Sequence, residues 1–487
     1  MSSEPREYAR FATAALNAAL APILDRYIGR LLKTLRAAGY GTEPVIMQSN
    51  GGVVTARRSM GESAHRLVLS GPAAGVLGGA WVAGEAGLRD VITLDMGGTS
   101  ADIGIVLDGR PRIRNGMRLE NGLPLQIQTL EIEAIGAGGG SIAWVDDGGA
   151  LHVGPQSAGA DPGPACYGTG GTAATVTDAH VVLGRIDPHN FLGGAIPLDP
   201  VAAESAMAPL ASLLGCSLQA AAAGIVELAE ANMAGAMRRA AARHGDDLRT
   251  LALVAAGGAG PLHAAQLAAE FKMPAVCVPP YPGLLSALGL LAADLRHDLS
   301  AALLTAADRP DLALIDRTFR DLEGEAGVRF QGDGIPDDRR RFDRALDLRY
   351  LGQEYALSVT TRSGEPFDDI VAHFHEQHER VYGHGAPGEP VEVVAARVTA
   401  WGVYPRLQVP PPGKRTAHPL PGLRDVWFAE TRTPLPAAIV ARDTLAAGDV
   451  VDGPAVIEQL DTTTLVPPSQ HAWVHPSGSL IIERRQP

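Results

Sequence analysis

Apolar residues recur at spacings of three and four through the first forty positions: Leu16, Leu20, Ile23, Leu24, Tyr27, Ile28, Leu31, Leu32 and Leu35. That period predicts an amphipathic helix over residues 5–39, ended by Gly39 and Gly41. The run Val45–Ser49 predicts a strand that turns at Asn50-Gly51-Gly52. Small residues from Ala73 to Ala86 predict a helix, with Ser70 as its N-cap and Pro72 in the first turn. Val91–Val106 reads as an apolar run, a turn of Gly97-Gly98-Thr99-Ser100, and a second apolar run. Next come a strand Ile127–Glu133, a glycine loop Gly136–Ser141, and a strand Ser141–Val145. Val153–Tyr167 reads as a long irregular loop. A short helix Ala179–Gly184 follows, with Thr177 or Asp178 near its cap. Residues 198–213 and 217–243 predict two helices, the second with Ile225, Val226, Leu228, Met233 and Met237 on one face. A buried strand Leu251–Ala256 opens into Gly257-Gly258-Ala259-Gly260 and a helix Ala264–Phe271. A strand Val276–Val278 and an apolar helical stretch Pro282–Leu295 complete this part.

The patterning then changes. Residues 305–345 carry more charge and predict a helix Leu312–Phe330. Strand patterns follow at Arg344–Tyr350, Tyr355–Thr361, Val391–Val403, Ala437–Ala441, Ala455–Glu458 and Ser479–Glu483, interrupted by a helix Pro366–Tyr382. Residues 406–424 are Pro-rich and read as a linker or an edge strand. The expected organisation is an N-terminal helix at 1–40, an α/β core at 41–300, a helical connector at 301–340 and a β-rich module at 341–487. A chain of 487 residues has length for several cores.

Charge and composition narrow the functions. A net charge of −13 argues against a phosphate-backbone partner, so nucleic acid is not expected. The lysines are Lys33, Lys272 and Lys414, none in a glycine-rich loop, and no GxxxxGK[ST] occurs, which excludes a Walker-type site. Cys166, Cys216 and Cys277 are odd in number and lack a CxxC, so a disulfide framework is not expected and a reducing cytoplasm fits. No apolar run reaches the length of a membrane span.

Three stretches carry candidate chemistry. In the turn Gly97–Ser100, glycines can take positive φ, and consecutive N–H groups form a nest for anions. Asp95 and Asp102 flank it, and Asp95 stands where an acid holds a metal, or its bound water, against a phosphate. A phosphate-binding hairpin and a tight turn beside an acid both fit this stretch alone. The helix N-terminus at Ser70 is a second anion position. The strand–glycine turn–helix at Gly257–Gly260 lets a backbone pass close to a flat or anionic ligand. Gly136–Ser141 is followed by a strand, which rules out a dinucleotide fingerprint. Cys166 has no marked base. His373, His375 and His378 do not share a helical face, so they read as solvated residues rather than a metal triad.

Taken in order, Ser49-Asn-Gly-Gly52, Leu69-Ser-Gly-Pro-Ala-Ala-Gly75, Leu94–Asp102, Glu131–Ser141, Gly159–Gly168, Phe191-Leu-Gly-Gly194 and Ala256–His263 resemble the hydantoinase A/5-oxoprolinase family, over essentially the whole chain. The family includes N-methylhydantoinase A and acetone carboxylase beta-subunit-like proteins. The resemblance implies an α/β fold of the actin-like ATPase superfamily (sugar kinases, heat-shock chaperones, actin), with a ribonuclease H-like lobe and a C-terminal β-rich module. It implies that Asp95, Gly97, Gly98, Thr99 and Ser100 match a phosphate loop, and Gly257, Gly258 and Gly260 an adenosine loop. Asp95 and Asp102 would be catalytic, with Asp95 also on the metal; the cofactors would be ATP and Mg2+. The implied function is the ATP-binding subunit of a cyclic amide hydrolase. It would phosphorylate the carbonyl oxygen of a lactam or hydantoin, in a cytoplasmic hetero-oligomer with a hydantoinase B-like subunit. An acetone or acetophenone carboxylase-like subunit, or a truncated non-catalytic assembly subunit, are the alternatives. Family chains begin with a lobe carrying a first DxGGTxTD-type loop, which is not seen ahead of Asp95. The expectation is therefore a member lacking that lobe, binding nucleotide weakly and turning over little without it and the partner.

Overall fold

Residues 91–107 place an apolar run on each side of two glycines, and they fold as a hairpin within a large sheet. In the computed structural model, which describes residues 7–61, 63–119, 122–307, 310–406 and 422–485, Val91–Met96 pairs antiparallel with Ala101–Leu107. Asp95 stands opposite Asp102 and Met96 opposite Ala101. The wholly buried strand Ala252–Ala256 runs parallel to Val91–Met96, and Val276–Val278 runs parallel to it on the other side. Such continuous apolar strands need cover on both faces. Nine strands form this sheet, which continues past Val276–Val278 through Leu480–Arg484, Gln470–Val474 and Val450–Asp452. Ile225, Met233 and Met237 of helix Leu218–Ala242 share a core with Ile103, Leu253 and Val278 of the sheet. A four-stranded sheet, from Gly422–Phe428 to Thr463–Val466, belongs to the same compact unit: residues 74–112, 131–292 and 407–487.

The other unit comprises residues 1–73, 113–130 and 293–406. Its six-stranded sheet runs in the order Val45–Met47, Val53–Thr55, Leu295–Ala306, Val391–Gly402, Arg340–Tyr350, Leu357–Thr361. Helices Glu7–Ala37, Leu312–Gly332 and Phe367–Tyr382 and the hairpin of Ile113–Arg118 with Pro124–Leu130 complete it. Phe330 and Phe374 anchor the last two helices, both fully buried.

Several sequence expectations change here. Val153–Ser157 ends a strand paired with Ser141–Val145 and is not loop. Ser70 is the first residue of helix Ser70–Glu85, not its cap. The helix expected from Ala179 starts at Val176, because Thr175 caps it: Asp178 and Thr175 exchange hydrogen bonds as a capping box. A long strand, Leu295–Ala306, fills the stretch between the helical segment expected to end at Leu295 and the charged segment expected from residue 305. The strands of 341–487 divide between the two units. Residues 407–421 of the Pro-rich stretch lie outside the described residues. His378 is buried, not solvated: its Nδ1 bonds the His384 carbonyl at 2.7 Å and its Nε2 lies 3.2 Å from Gln353. Among the described residues no helix alone is long and apolar enough to cross a membrane.

Candidate functional site

The Gly97–Ser100 turn is held from behind by its carbonyls. Gly139 N–H donates to the Gly97 carbonyl at 3.0 Å and Gly140 N–H to the Gly98 carbonyl at 2.7 Å. Gly97 N–H closes the turn on the Ser100 carbonyl at 3.1 Å. The loop Gly136–Ser141 therefore serves as backing for the turn. A Cβ at Gly138 would lie 2.5 Å from both the Gly98 carbonyl carbon and the Thr99 nitrogen, so only glycine fits there. With the carbonyls engaged, the N–H groups of Gly98 and Thr99 have no protein acceptor among the described residues, and Gly97, Gly98 and Thr99 are exposed. Neither Gly97 nor Gly98 takes the positive φ expected of them; their role is room, since a Cβ at either meets nothing within 4 Å.

Gly257 is the strained glycine of the pair of loops. It sits at φ +77°, and a Cβ there would lie 2.2 Å from the Met96 carbonyl oxygen. Its N–H donates to the Pro282 carbonyl at 2.9 Å, and Ala259 N–H donates to the Met96 carbonyl at 3.1 Å, which ties this loop to the end of the central strand. The Thr462 hydroxyl reaches the Gly258 carbonyl at 3.0 Å. Together these loops wall a cavity of ≈ 190 Å³, lined by Gly97, Gly98, Gly139, Thr177, Gly258 and Thr462 among others.

Asp95 and Asp102 face each other across the hairpin, just behind the turn. Burial pushes the Asp95 carboxyl above its usual range, and a Ser286 hydroxyl bonded to its Oδ2 at 3.3 Å opposes that only in part. Asp102 is pushed up to about 6, by burial first and then by the Asp95 charge. Two carboxyls raised by burial, one of them further raised by its neighbour's charge, carry a deficit that a cation relieves.

A second set of buried polar groups lies deeper. Asp178 accepts from the N–H groups of Ala165 (3.3 Å), Cys166 (2.7 Å) and Thr175 (2.9 Å) and from the Thr175 hydroxyl (2.7 Å), so it fixes the loop that carries Cys166. Burial, reinforced by Asp178, pushes the Cys166 thiol up, which removes it as a nucleophile. Glu230 holds His263 Nδ1 at 3.1 Å, and His263 Nε2 lies 3.2 Å from His180 Nε2. With Glu230 accepting, His263 Nε2 is an acceptor and His180 Nε2 its donor. His180 lines the cavity and is held neutral by burial, then by His263 and Arg185.

The structure thus brings Gly97, Gly98 and Gly258 to one cavity. Thr99 and Ser100 stand at its turn but do not line it. Asp95 and Asp102 lie behind the turn, and Gly260 packs against the Leu94 carbonyl, 3.3 Å from its Cβ position. Sequence reasoning missed Thr177, His180 and Thr462. A capping box beginning at Thr175 marks the first; nothing local marks Thr462, which arrives from a different sheet.

The hydantoinase/oxoprolinase profile matches residues 10–299, and the hydantoinase/oxoprolinase C-terminal domain profile matches residues 306–478. The chain is 36% identical to the caprolactamase subunit alpha of Pseudomonas jessenii, over 97% of this chain and 69% of that protein. It is 31% identical to the acetophenone carboxylase gamma subunit of Aromatoleum aromaticum, over 99% of this chain and 68% of that protein. The crystal structure of ATP-dependent caprolactamase from Pseudomonas jessenii matches with a TM-score of 0.83 and 32% identity, over 99% of this chain and 71% of that one.

Proposed function

The chain belongs to the hydantoinase/oxoprolinase family and has its mixed α/β, actin-like ATPase fold, and from that premise we propose that it is the ATP-binding subunit of an ATP-dependent cyclic amide hydrolase. The observation that carries this reading is the Gly97–Ser100 turn. Its carbonyls are tied back by Gly139 and Gly140, the exposed Gly98 and Thr99 N–H groups have no protein acceptor among the described residues, and a Cβ at Gly98 would meet nothing within 4 Å. That is the donor set a phosphate takes. A cavity of ≈ 190 Å³ is smaller than most enclosed ligand sites, so these residues would grip a nucleotide only in part.

Mg2+ fits the acid pair. The described residues hold no cluster of three metal-ligating side chains, but this cation is commonly held by one or two carboxylates with phosphate oxygens and water. Asp95 would anchor it, and its raised proton affinity would fall on binding. When bound, the magnesium nucleotide supplies a phosphoryl group for the substrate carbonyl oxygen. The chain's own part is to orient and to screen charge: the Gly98 and Thr99 N–H groups would position phosphate oxygens, and Asp102 would adjust the charge of Asp95 across the hairpin. Activation is chemically required because an amide carbonyl is a poor electrophile, and phosphorylation turns its oxygen into a leaving group. We assign ring opening to a hydantoinase B-like partner subunit; the naming of the relatives as subunits supports this assembly. The substrate would be a lactam or hydantoin.

An isotope experiment tests the reading. With caprolactam carrying 18O at its carbonyl, the chain plus a B-like subunit and Mg-ATP should place 18O in the released phosphate. Phosphate free of 18O despite ring opening would overturn carbonyl phosphorylation. Likeness to the acetophenone carboxylase subunit favours a second reading, a carboxylase subunit. That reading requires ATP consumption that depends on bicarbonate.

A further inference from the structure

A cavity of ≈ 370 Å³ lies in the unit built from residues 1–73, 113–130 and 293–406, and the nucleotide reading leaves it without a role. Its walls are unusually charged, and nearly every charge is already matched. Asp298 accepts from Arg296 Nε at 2.9 Å and from the Asn50 amide at 2.5 Å. Asp347 takes Arg397 Nε on both oxygens, at 2.9 and 2.7 Å. Arg329 is bound to Glu325 at 2.6 Å and Arg349 to Glu392 at 2.8 Å. Arg66 is the exception. Its hydrogen bond is to the Asp298 main-chain carbonyl, at 3.4 Å, and among the described residues no carboxylate oxygen lies within ion-pair distance of it. Burial disfavours its charge, Asp298 favours it, and Arg329 and Arg296 disfavour it further. The lining acid Glu354 is exposed.

A half-buried guanidinium with no carboxylate oxygen at ion-pair distance carries a desolvation cost that an incoming anion relieves. Beside it, Gln128 turns its amide oxygen to Arg296, at 2.8 Å, which leaves its NH2 group as a donor on the same wall. We propose that this cavity binds a small carboxylate, with Arg66 as the counter-ion and the Gln128 amide as a second donor. A planar carboxylate matches the guanidinium fork, and one negative charge matches one unmatched cation. A phosphate dianion would need a second free cation, and the other arginines of the wall are committed. The inference goes beyond the nucleotide reading and does not depend on it.

The test is calorimetric titration of the full chain with sodium acetate and sodium succinate, against sodium chloride at matched ionic strength. The parent should show saturable carboxylate binding. Arg66→Gln should weaken it by about tenfold or more, the worth of a charge-assisted bond, and Arg66→Lys should recover part of it. The near-UV circular dichroism spectrum of Arg66→Gln should match the parent, because one long hydrogen bond is lost. Three results would overturn the assignment: no saturable binding by the folded parent, equal binding by folded Arg66→Gln, or inorganic phosphate bound more tightly than either carboxylate.

Discussion

Gly98→Ala and Gly257→Ala should have opposite consequences, although each adds one methyl group to a loop of the same cavity. At Gly257 the added Cβ would lie 2.2 Å from the Met96 carbonyl oxygen and 2.7 Å from an Asp95 carboxylate oxygen, at φ +77°. The left-handed backbone costs about 1–2 kcal/mol for a residue with a side chain. The overlap with main chain adds about 1–3 kcal/mol, because the central strand must move. A loss of roughly 2–5 kcal/mol is a large share of a stability of about 5–15 kcal/mol. At Gly98 the new Cβ meets nothing and φ is not positive, so stability should stay within about 1 kcal/mol of the parent. Binding should suffer instead, since the methyl stands where a phosphate would approach the free N–H groups. Loss of one charge-assisted hydrogen bond, about 1.5–3 kcal/mol, weakens Mg-ATP binding about ten- to a hundredfold. Denaturant melts and titration calorimetry on the two variants separate these outcomes. Parent-like nucleotide affinity in Gly98→Ala, or parent-like stability in Gly257→Ala, would refute the reasoning for that loop.

Other consequences follow from the buried groups. A water-soluble disulfide reagent should titrate one thiol in the native chain, the exposed Cys216, and three after unfolding; Cys166 is pushed up by burial and Asp178, and burial pushes Cys277 up to about 12. Rapid native modification of two thiols would contradict this. Asp102→Asn should stabilise the nucleotide-free chain at neutral pH. A carboxyl raised to about 6 in the folded state binds its proton more tightly there than when unfolded, so its ionisation costs stability as pH rises from about 4 through 6. The gain, on the order of 1 kcal/mol after solvent screening, should vanish by about pH 4 in melts across that range. Asp178→Ala removes an acceptor of four hydrogen bonds and should cost about 2–4 kcal/mol in denaturant melts; a cost below about 1 kcal/mol would show that water replaces them.

The hairpin Val91–Leu107 is legible from the chain because its apolar runs and its two glycines are local, and Ala252–Ala256 with Gly257 is legible for the same reason. The strand Leu295–Ala306 is not, because the consecutive polar residues Arg296, His297 and Asp298 interrupt its apolar pattern. In the fold, Arg296 is fully buried and bound to Asn50, Gln128 and Asp298, partners up to 246 residues away. The same holds for Thr462, whose contact with Gly258 spans 204 residues. The freedom expected of Gly97 and Gly98 is present as space rather than as dihedral angle, a distinction composition does not carry. The division of the C-terminal strands between two units depends on pairings such as Val276–Val278 with Leu480–Arg484, which no local pattern encodes.

The most direct test of the central claim is lactam-dependent ADP release by the chain combined with a B-like subunit, compared between the parent and Asp95→Ala. Asp95 is one short side chain with one long hydrogen bond, from Ser286, so its truncation should leave the fold intact. The account predicts ADP release that tracks ring opening in the parent and is lost in the variant. ADP release that survives Asp95→Ala undiminished would contradict it.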